Sequence, residues 1–363
     1  MRMKSIWQRR DWPQFRWDKA AVEERLPRIA LLHGKLLGQM KGVGFDIQSS
    51  VLEALAQETI KSSAIEGERL DALSVRSSIA RRLQLKLPHM KAPDAKTEGA
   101  VDVLIAATQG FSQKLTSSAL CDWQKKLFPD GHSGGAKIVT GKYRKREMHI
   151  VSNRFGDDRV YYEAPPPDRL RAEMRRFLNW FNSREHEGHL RAAIAHFWFV
   201  TIHPFEDGNG RIARAITERA LAQFESSGQR MYSLSAEIDK RKNAYYEVLE
   251  RNQKGDLDIT SWLGWFFDCL EAAFDSAQAA CEGASRSARF WTRASSFRLN
   301  ERQRKVLRKI LSGFEGNITA KKWMKLGNCS LATAQRDLSA LVAFGLLIQN
   351  PGGSKNTSYE LVS

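Results

Sequence analysis

The sequence has few cysteines and lacks long apolar segments. Among its 363 residues no uncharged apolar run is long enough to cross a bilayer, so we expect no membrane-spanning helix and no membrane partner. The opening residues lack the apolar core of a secretory signal peptide, and we therefore expect a cytoplasmic protein. The cysteines have neither CxxC pairing nor metal-site spacing, which favours reduced structural thiols over disulfides or a zinc centre. They are Cys121, Cys269, Cys281 and Cys329.

Acidic residues are in the minority. The chain has 57 Lys and Arg residues against 41 Asp and Glu residues, which gives a formal net charge of +16. From Ser276 to the end there are 14 basic and five acidic residues, so a net charge of +9 belongs to the last quarter of the chain. A surplus of this kind favours an acidic partner for that part, and nucleic acid is the usual one.

The spacing of the apolar residues predicts a mainly α protein with more than one domain. The chain is long enough to bury a sizeable core. We predict an N-terminal helical region over 1–95, a core domain over 96–275, a helical connector or linker over 276–298 and a C-terminal domain over 299–363.

One part of the core domain has extended character instead of helical periodicity. We predict short strands at Lys142–Arg144, Met148–Val151 and Arg159–Tyr162, followed by a proline-rich break. The free edge of such a hairpin could pair with an extended segment of a target protein, or the hairpin could simply cover the core. The residue types alone leave both interpretations open.

The C-terminal domain has the element order of a winged helix. Capping residues and apolar spacing predict three helices, after which a glycine-rich turn joins two strands. The predicted helices are Glu301–Leu311, Ala320–Leu326 and Leu331–Phe344, and the predicted strands are Leu346–Gln349 and Tyr359–Val362. A DNA-binding face would include Thr333, Gln335, Arg336 and Lys355. Modules of this type also mediate dimerisation or protein docking, so DNA, a protein partner and a homodimer are all open.

The stretch His203–Arg211, with Arg214 one turn later, concentrates groups suited to nucleotide chemistry. It joins two predicted helices, and its glycines allow a ligand to approach a helix N-terminus that favours anions. Arg211 and Arg214 stand on one helix face as additional hydrogen-bond donors for a phosphate. Asp207 is a hard oxygen ligand suited to Mg²⁺, and the ordinary pKa of His203 suits general-base catalysis.

Each of these residues also has an ordinary structural explanation. A histidine before a proline usually ends a helix, and a Gly-Asn-Gly sequence is usually a turn. Arg214 could simply pair with Glu218, four residues later on the same helix. The order and the spacing of the whole set favour a functional loop.

The string HPFEDGNGRIAR resembles the signature of Fic (filamentation induced by cAMP) proteins, HPFx(D/E)GNGRxxR, with every position filled. The resemblance implies a Fic-type helical core that transfers AMP from ATP to a hydroxyl of a target protein, with ATP and Mg²⁺ bound. His203 would be the catalytic base, and Asp207 would hold the metal. The implied nucleotide-binding residues in the signature are Phe205, Gly208, Asn209, Gly210, Arg211 and Arg214.

Two further segments resemble parts of Fic proteins. Gly141-x-Tyr143-Arg144 resembles the approach to a flap, and a target would then dock by main-chain pairing to Met148, His149 and Ile150. Tyr246 resembles a tyrosine that packs against adenine, although amphipathic packing would also explain it. Asn252 and Gln253 compete for a polar position near the base.

Ser62, Glu66 and Gly67 match the inhibitory motif of the family, (S/T)xxxE(G/N). By itself Gly67 is explained by a left-handed helix cap. The resemblance implies that Glu66 enters the nucleotide site, pairs with Arg214 and blocks productive placement of the γ-phosphate. A carboxylate between the arginine nitrogens excludes a phosphate by charge and by bulk.

The leading hypothesis is an autoinhibited protein adenylyltransferase that modifies a Ser, Thr or Tyr hydroxyl. One alternative is a Fic enzyme that transfers another nucleotide or removes AMP. An alternative from a different class is a DNA-binding winged-helix regulator whose Fic core serves as a nucleotide sensor. The intact His203 argues against a core without catalysis.

Overall fold

The structure is a computed structural model that describes residues 5–40, 47–152, 159–186, 188–313, 316–351 and 357–362. The described residues are mainly helical, which confirms the predicted fold class. None of the described helices combines the length and the apolar composition that a bilayer span requires. The chain divides into two compact units. The first comprises Met1–Leu36 and Ile47–Ala277, and the second comprises Leu37–Asp46 and Gln278–Ser363.

The first unit is built from helices and two small hairpins. Its helices are α1 (Lys19–Met40), α2 (Ile47–Ile65), α3 (Ala72–Arg82), α4 (Ala95–Gln109), α5 (Ser117–Leu127), α6 (Leu170–Ser183), α7 (Gly188–Ile202), α8 (Asn209–Glu225), α9 (Leu234–Lys240), α10 (Lys242–Gln253) and α11 (Thr260–Ala294). The antiparallel hairpins pair β1 (His132–Ser133) with β2 (Ala136–Lys137) and β3 (His149–Ser152) with β4 (Arg159–Glu163). Helices α1 and α11 extend past the borders of this unit.

Helix α7 lies at the centre of the first unit because it is apolar on nearly every face. All of its residues except Leu190 are buried. The ring of Trp198 on this helix contacts Trp12 and Phe177, with centroid separations of 6.3 and 5.6 Å. The helix ends at Ile202 because a following proline, Pro204, disfavours helical backbone at the residue before it.

The aromatic segment before α1 is an ordered arm packed on the core. Trp12 Nε1 donates to Glu173 Oε2 on α6 at 2.9 Å. The backbone N–H of Arg16 donates to the Leu257 carbonyl, and the Arg16 carbonyl accepts from the Ile259 N–H, both at 2.8 Å. The arm therefore joins the ends of the first unit through side chains and backbone together.

One local prediction does not match the structure. Lys142–Arg144 is not a strand, because the Arg144 backbone N–H donates to the Pro204 carbonyl at 2.9 Å instead of entering a ladder. Residues 276–298, predicted as a helical connector or linker, are helical up to Ala294 as the last part of α11. The many alanines of that segment favour helix even without a broad apolar face. The domain boundaries themselves remain a prediction.

The second unit has a helical core with a small sheet. Its elements are α12 (Glu301–Leu311), β5 (Ile318–Thr319), α13 (Ala320–Gly327), α14 (Leu331–Ala343), β6 (Leu347–Gln349) and β7 (Ser358–Leu361). The strands are antiparallel in the order β5-β7-β6, and β5 was absent from the sequence prediction. The apolar core includes Val306, Leu307, Trp323, Leu338 and Leu341. Lys355, placed on the wing by the sequence analysis, lies outside the described residues.

Asp337 joins the three helices of the second unit. Its buried carboxylate accepts two hydrogen bonds from Arg302 on α12, at 2.6 and 3.0 Å, and one from Trp323 Nε1 on α13 at 3.1 Å. Asn300, the N-cap of α12, lies at 3.4 Å. Burial alone raises the pKa of Asp337, but the hydrogen bonds from Arg302, Trp323 and Asn300 outweigh it and hold the pKa below its ordinary value.

We expect Asp337→Ala to lower the local stability of the second unit by about 3 kcal/mol, because it leaves the Arg302 guanidinium and the buried Trp323 N–H without their acceptor. Hydrogen exchange, measured on peptides from the second unit, should show faster exchange in α12 to α14. Ser339→Ala, on the exposed side of α14, is the matched control and should exchange as wild type. Equal protection in both variants would contradict this role of Asp337.

Candidate active site

The loop between α7 and α8 is held in shape by two side chains. His203 has a φ of +51°, and its carbonyl accepts a hydrogen bond from Arg144 Nε at 2.8 Å. The Arg144 guanidinium also donates to the carbonyls of Pro165 at 2.5 Å and Arg146 at 2.8 Å. Burial lowers the pKa of Arg144 to about 10, so the side chain still carries its charge at neutral pH. Arg144 thus ties the loop to the segment that precedes the β3–β4 hairpin.

Asn209 is the second side chain that shapes the loop. Its amide accepts from the Phe205 N–H at 3.0 Å and donates to the Phe205 carbonyl at 2.8 Å. Both residues are buried, and the Phe205 ring packs beside Tyr143 and Phe199. The Phe205 ring is therefore an anchor in the core, and a nucleotide-binding role for this residue remains a prediction. The Asn209 side chain is likewise fully engaged within the loop.

The ring of His203 is half-buried and neutral. Its Nδ1 lies 3.2 Å from the Val200 carbonyl, which can only accept, so Nδ1 carries the proton and Nε2 keeps a free lone pair. Burial lowers the pKa of His203 to about 4; the Val200 hydrogen bond opposes this shift and the charge of Arg144 adds to it. At neutral pH the ring can accept a proton at Nε2.

A cavity of about 540 Å³ opens beside His203. Its volume is in the range typical of small-molecule sites. The cavity brings together residues from the turn after α2, the β3–β4 hairpin, α7, the loop, α8 and α10. It is lined by Glu66, Ile150, Tyr162, Val200, His203, Gly210, Lys242, Asn243, Tyr245, Tyr246, Leu249, Glu250 and Gln253. Lys242 and Glu250 had no role in the sequence analysis.

The structure decides between the two polar candidates that follow Tyr246. Asn252 points away from the cavity, where its amide donates to the Val248 carbonyl at 2.7 Å and to Ser261 at 3.0 Å. Gln253 lines the cavity, and its amide lies 3.4 Å from Thr201 Oγ1. The Tyr246 hydroxyl donates to the Ile65 carbonyl at 3.2 Å, which places its ring at the junction of α2 and α10.

The first turn of α8 meets the end of α2 directly. Gly208 has a φ of +88°, and a Cβ added at Gly210 would overlap Glu66 Oε1. The same Glu66 oxygen accepts from Arg214 Nη2 at 2.8 Å. Ser62 contributes twice, since its hydroxyl oxygen and its carbonyl accept from Arg214 at 2.8 and 2.7 Å. A carboxylate thus occupies the helix N-terminus where an anionic ligand would bind.

A second carboxylate, Glu68, was not singled out from the sequence. It forms an ion pair with Arg211, whose guanidinium also lies over the Phe128 ring at 4.7 Å. Glu66 and Glu68 together pair with Arg214 and Arg211 in the first turns of α8. The only sequence signal was the spacing of the two acids around Gly67, whose φ is +84° and turns the chain back toward α8.

A chain of buried polar side chains lies near Arg214. Thr217 donates to the Ala213 carbonyl at 2.8 Å and therefore accepts from His196 Nδ1 at 2.9 Å. The Tyr245 hydroxyl then donates to His196 Nε2 at 2.9 Å. Burial lowers the pKa of His196 to about 3, which keeps this ring neutral. Burial raises the pKa of Tyr245, and the charge of Arg214 acts in the opposite direction.

Asp207 lies at the rim of the loop. Its carboxylate accepts from the Ser133 hydroxyl and from the Gly208 N–H, the latter at 2.5 Å. The described residues contain no group of three or more His, Cys, Asp or Glu side chains that could hold a metal by themselves. Mg²⁺ usually binds one or two carboxylates together with substrate phosphates, and Asp207 beside the α8 N-terminus fits that donor set.

The hairpin of β3 and β4 stands over the cavity. His149 pairs with Glu163 and Ile150 with Tyr162, and a register shift follows Ile150. The Met148 carbonyl accepts from the Ala164 N–H at 3.1 Å. Ile150 lines the cavity and His149 is exposed. In the part of the chain that the structure describes, β3 has β4 as its single strand neighbour, so its other edge offers main-chain groups.

Comparison with known families and proteins agrees with this arrangement. Residues 114–221 match the model of the Fic/DOC family, and residues 5–85 match a domain of unknown function (DUF4172). A protein adenylyltransferase Fic from Drosophila virilis is 27% identical over 231 residues, which is 61% of this chain and 42% of the relative. A uridine 5'-monophosphate transferase from Xanthomonas campestris is 26% identical over 198 residues, which is 46% of this chain and 36% of the relative. The chain thus spans less than half the length of either relative.

A solved structure of a Fic family protein from Desulfovibrio desulfuricans G20 has a TM-score of 0.54 against this chain. The alignment covers 96% of this chain and 97% of the other at 19% identity. At this level of identity the likeness concerns the fold alone.

We expect Asn209→Ala to lower the free energy of unfolding by about 2 kcal/mol, because the buried N–H and carbonyl of Phe205 lose their partner. Chemical denaturation measures the change. Asn179→Ala, at an exposed position on α6, serves as the control and should lie within about 0.5 kcal/mol of wild type. If the two variants are equally stable, Asn209 does not hold the loop.

Proposed function

We propose that this chain, which contains a Fic/DOC domain at residues 114–221, is a protein adenylyltransferase that its own N-terminal region holds inactive. The single observation that carries the proposal is the juxtaposition of the neutral His203 ring with the first turn of α8 at one cavity. A proton acceptor and an anion-binding helix end then face the same small-molecule site.

The reaction begins with a hydroxyl of a target Ser, Thr or Tyr residue near His203 Nε2. His203 takes the hydroxyl proton while the oxygen forms a bond to the α-phosphorus of ATP. The bond from that phosphorus to the bridging oxygen breaks, and pyrophosphate leaves with the electron pair. The products are an AMP ester of the target, pyrophosphate and the proton on His203, which then passes to solvent. The edge of β3 at Met148 to Ile150 would hold the target backbone by main-chain pairing.

Charge stabilisation falls to the loop and to α8. The backbone N–H groups around Gly208 and Gly210 and the side chains of Arg211 and Arg214 would bind the phosphates and stabilise the charge that develops. Bound Mg²⁺, held by Asp207 and the phosphates, would supply further neutralisation of the leaving pyrophosphate. The side chains of Phe205 and Asn209 would act indirectly, by keeping the loop in shape.

The choice of nucleobase depends on the α10 side of the cavity. Tyr246 and Gln253 offer a ring and an amide, a combination suited to a flat heterocycle with polar edges. A relative named as an adenylyltransferase favours AMP, whereas the relative named as a uridine monophosphate transferase makes UMP the competing group. Transfer of AMP or of UMP would break the same bond, at the α-phosphorus of the nucleotide.

The positions of Glu66 and Glu68 support the proposal of autoinhibition. Glu66 occupies the Arg214 guanidinium and covers Gly210, and Glu68 occupies Arg211. A triphosphate that used both arginines would have to displace both carboxylates. We therefore propose that Ser62, Glu66 and Gly67 form an inhibitory element and that Glu68 belongs to it.

A second candidate function concerns the second unit. Gln335 and Arg336 are exposed on α14, the helix that follows the turn after α13, and this order is that of a helix-turn-helix. The positive charge of this part of the chain adds to that observation. We therefore propose DNA as its alternative partner, with protein docking or a homodimer as the competing uses of the same surface.

Replacement of His203 tests the transferase. In a Glu66→Gly background, we expect His203→Ala to lower transfer of label from [α-³²P]ATP to protein by about a hundredfold or more, because general-base catalysis contributes at least that much. Binding of a fluorescent ATP analogue should persist. The control is His89→Ala, since His89 is exposed and distant in sequence from the loop.

Two further labels separate the competing reactions from AMP transfer. Incorporation from [γ-³²P]ATP would indicate phosphate transfer, and preferred incorporation from [α-³²P]UTP would replace AMP by UMP. Transfer that survives in His203→Ala would remove His203 from the mechanism. Filter binding of random duplex DNA by the same preparation separates the regulator hypothesis, which requires DNA retention without any protein labelling.

Replacement of the two acids tests autoinhibition. We expect Glu66→Gly to raise automodification by about tenfold or more over wild type, because each charge-assisted hydrogen bond that holds a carboxylate contributes about 1.5–3 kcal/mol. Glu68→Gln should raise automodification by a smaller factor, since Glu68 pairs with Arg211 alone, whereas Glu66 both pairs with Arg214 and covers Gly210. Glu23→Gln, an exposed position on α1, should behave as wild type. Unchanged activity in Glu66→Gly would refute the inhibitory role.

A further inference from the structure

A second large cavity in the first unit has no part in the chemistry described above. Its volume is about 770 Å³, and it lies between α5, the segment 141–145 and α6. We call it the basic groove and define it by Lys142, Lys145, Arg171 and Arg175 on its walls and by Met174 and Leu178 on its floor. It is separate from the cavity beside His203 and shares no lining residue with it.

The walls of the basic groove carry uncompensated positive charge. Lys142, Lys145, Arg171 and Arg175 are all exposed, and within the described residues none of the four forms an ion pair. Asp168 is the one acidic residue that lines the groove. Arg171 and Arg175 are four residues apart on α6, a spacing at which like charges repel each other. An acidic ligand would relieve that repulsion.

The floor of the groove is apolar. Met174 is buried, Leu178 is half-buried, and Tyr143 places its ring at the edge, with its hydroxyl 2.8 Å from Ser117 Oγ. One side of the Tyr143 ring faces Phe205, at a centroid distance of 5.5 Å. The groove therefore lacks the exposed stacking rings that single-stranded nucleic acids use. Positive walls over an apolar floor suit an extended peptide that carries both acidic and apolar side chains.

The segment that forms one wall of the groove is also bonded to the active loop. Between Lys142 and Lys145 lies Arg144, which donates to the carbonyl of His203 at 2.8 Å and whose backbone N–H donates to Pro204. Strand β3 begins at His149, four residues after Lys145. A peptide in the groove would therefore lie beside the elements that position the base and the flap.

We propose that the basic groove docks an acidic segment of the target protein, at a distance in sequence from the hydroxyl that is modified. The groove would select targets by charge, while the flap edge holds the modified residue through main-chain groups that carry no sequence information. The identity of the partner as a substrate rests on the proposed function. The binding of an acidic peptide does not.

Fluorescence anisotropy with a labelled octapeptide of alternating Glu and Leu tests the docking. We expect Arg171→Glu combined with Arg175→Glu to weaken binding by about tenfold or more, because several exposed charge pairs of about 0.2–1 kcal/mol each are lost or reversed. The matched control is Arg286→Glu combined with Arg289→Glu, which changes the net charge of the chain equally at exposed sites on α11. The control should bind within twofold of wild type.

Each other outcome would overturn the proposal. Equal loss in the two double variants would assign the binding to net charge, and no loss in either would remove the groove. A labelled oligonucleotide that competes with the peptide and binds more tightly would make nucleic acid the occupant. Should the double reversal unfold α6, as judged by circular dichroism, Arg171→Gln combined with Arg175→Gln provides the same comparison with a smaller expected loss.

A catalytic variant separates this proposal from the proposed function. His203→Ala should bind the peptide as wild type does, whether or not the chain transfers AMP. If transfer is found, the Arg171 and Arg175 variant should leave nucleotide binding unchanged and lower the rate of target labelling from lysate. Peptide binding without any transfer would support the groove as a docking site and contradict the proposed transferase activity.

Discussion

The peptide groups of one short loop are held by side chains, and the candidate site depends on that restraint. Arg144 binds the carbonyl of His203, and Asn209 binds both peptide groups of Phe205. Pro204 ends α7, and the last helical hydrogen bond before the loop is that from the His203 N–H to the Phe199 carbonyl, so the side chains maintain the shape of the residues that follow. With these contacts in place, the ring of His203 and the start of α8 face one cavity. Both restraining side chains are buried, which keeps water from competing for the same groups.

The end of α2 completes the site by filling it. Glu66 lies against Gly210 and Arg214, in the space where the helix N-terminus attracts an anion, and Glu68 lies on Arg211. The buried chain of Tyr245, His196 and Thr217 lies near Arg214, whose charge lowers the pKa of Tyr245 against the effect of burial. Attraction for phosphate and attraction for the internal carboxylates thus come from the same donors. A phosphate that used these donors would have to displace the carboxylates.

The loop and its helices were accessible from the sequence because their signals are local. The apolar run before Pro204 and the glycines after it predict the helix, its end and the turn. The matching family model confirms the resemblance that those residues carried. The strand predicted for Lys142–Arg144 failed because the partner of its backbone, Pro204, lies about sixty residues away along the chain. The burial of the Phe205 ring was not predictable from the motif, because it depends on packing that the motif does not describe.

The sequence by itself determined the chemical inventory: a histidine before proline, an acid, glycines, two arginines and, far upstream, a Ser-x-x-x-Glu-Gly motif. Spacing within one helical turn is enough to place such groups together, because local backbone geometry fixes it. Tertiary structure alone decided which groups meet across distance. It placed Glu68 on Arg211, turned Gln253 and not Asn252 toward the cavity, and assembled the basic groove from α5, α6 and the segment between them. Contacts of that kind arise from the packing of whole helices, which no short stretch of sequence encodes.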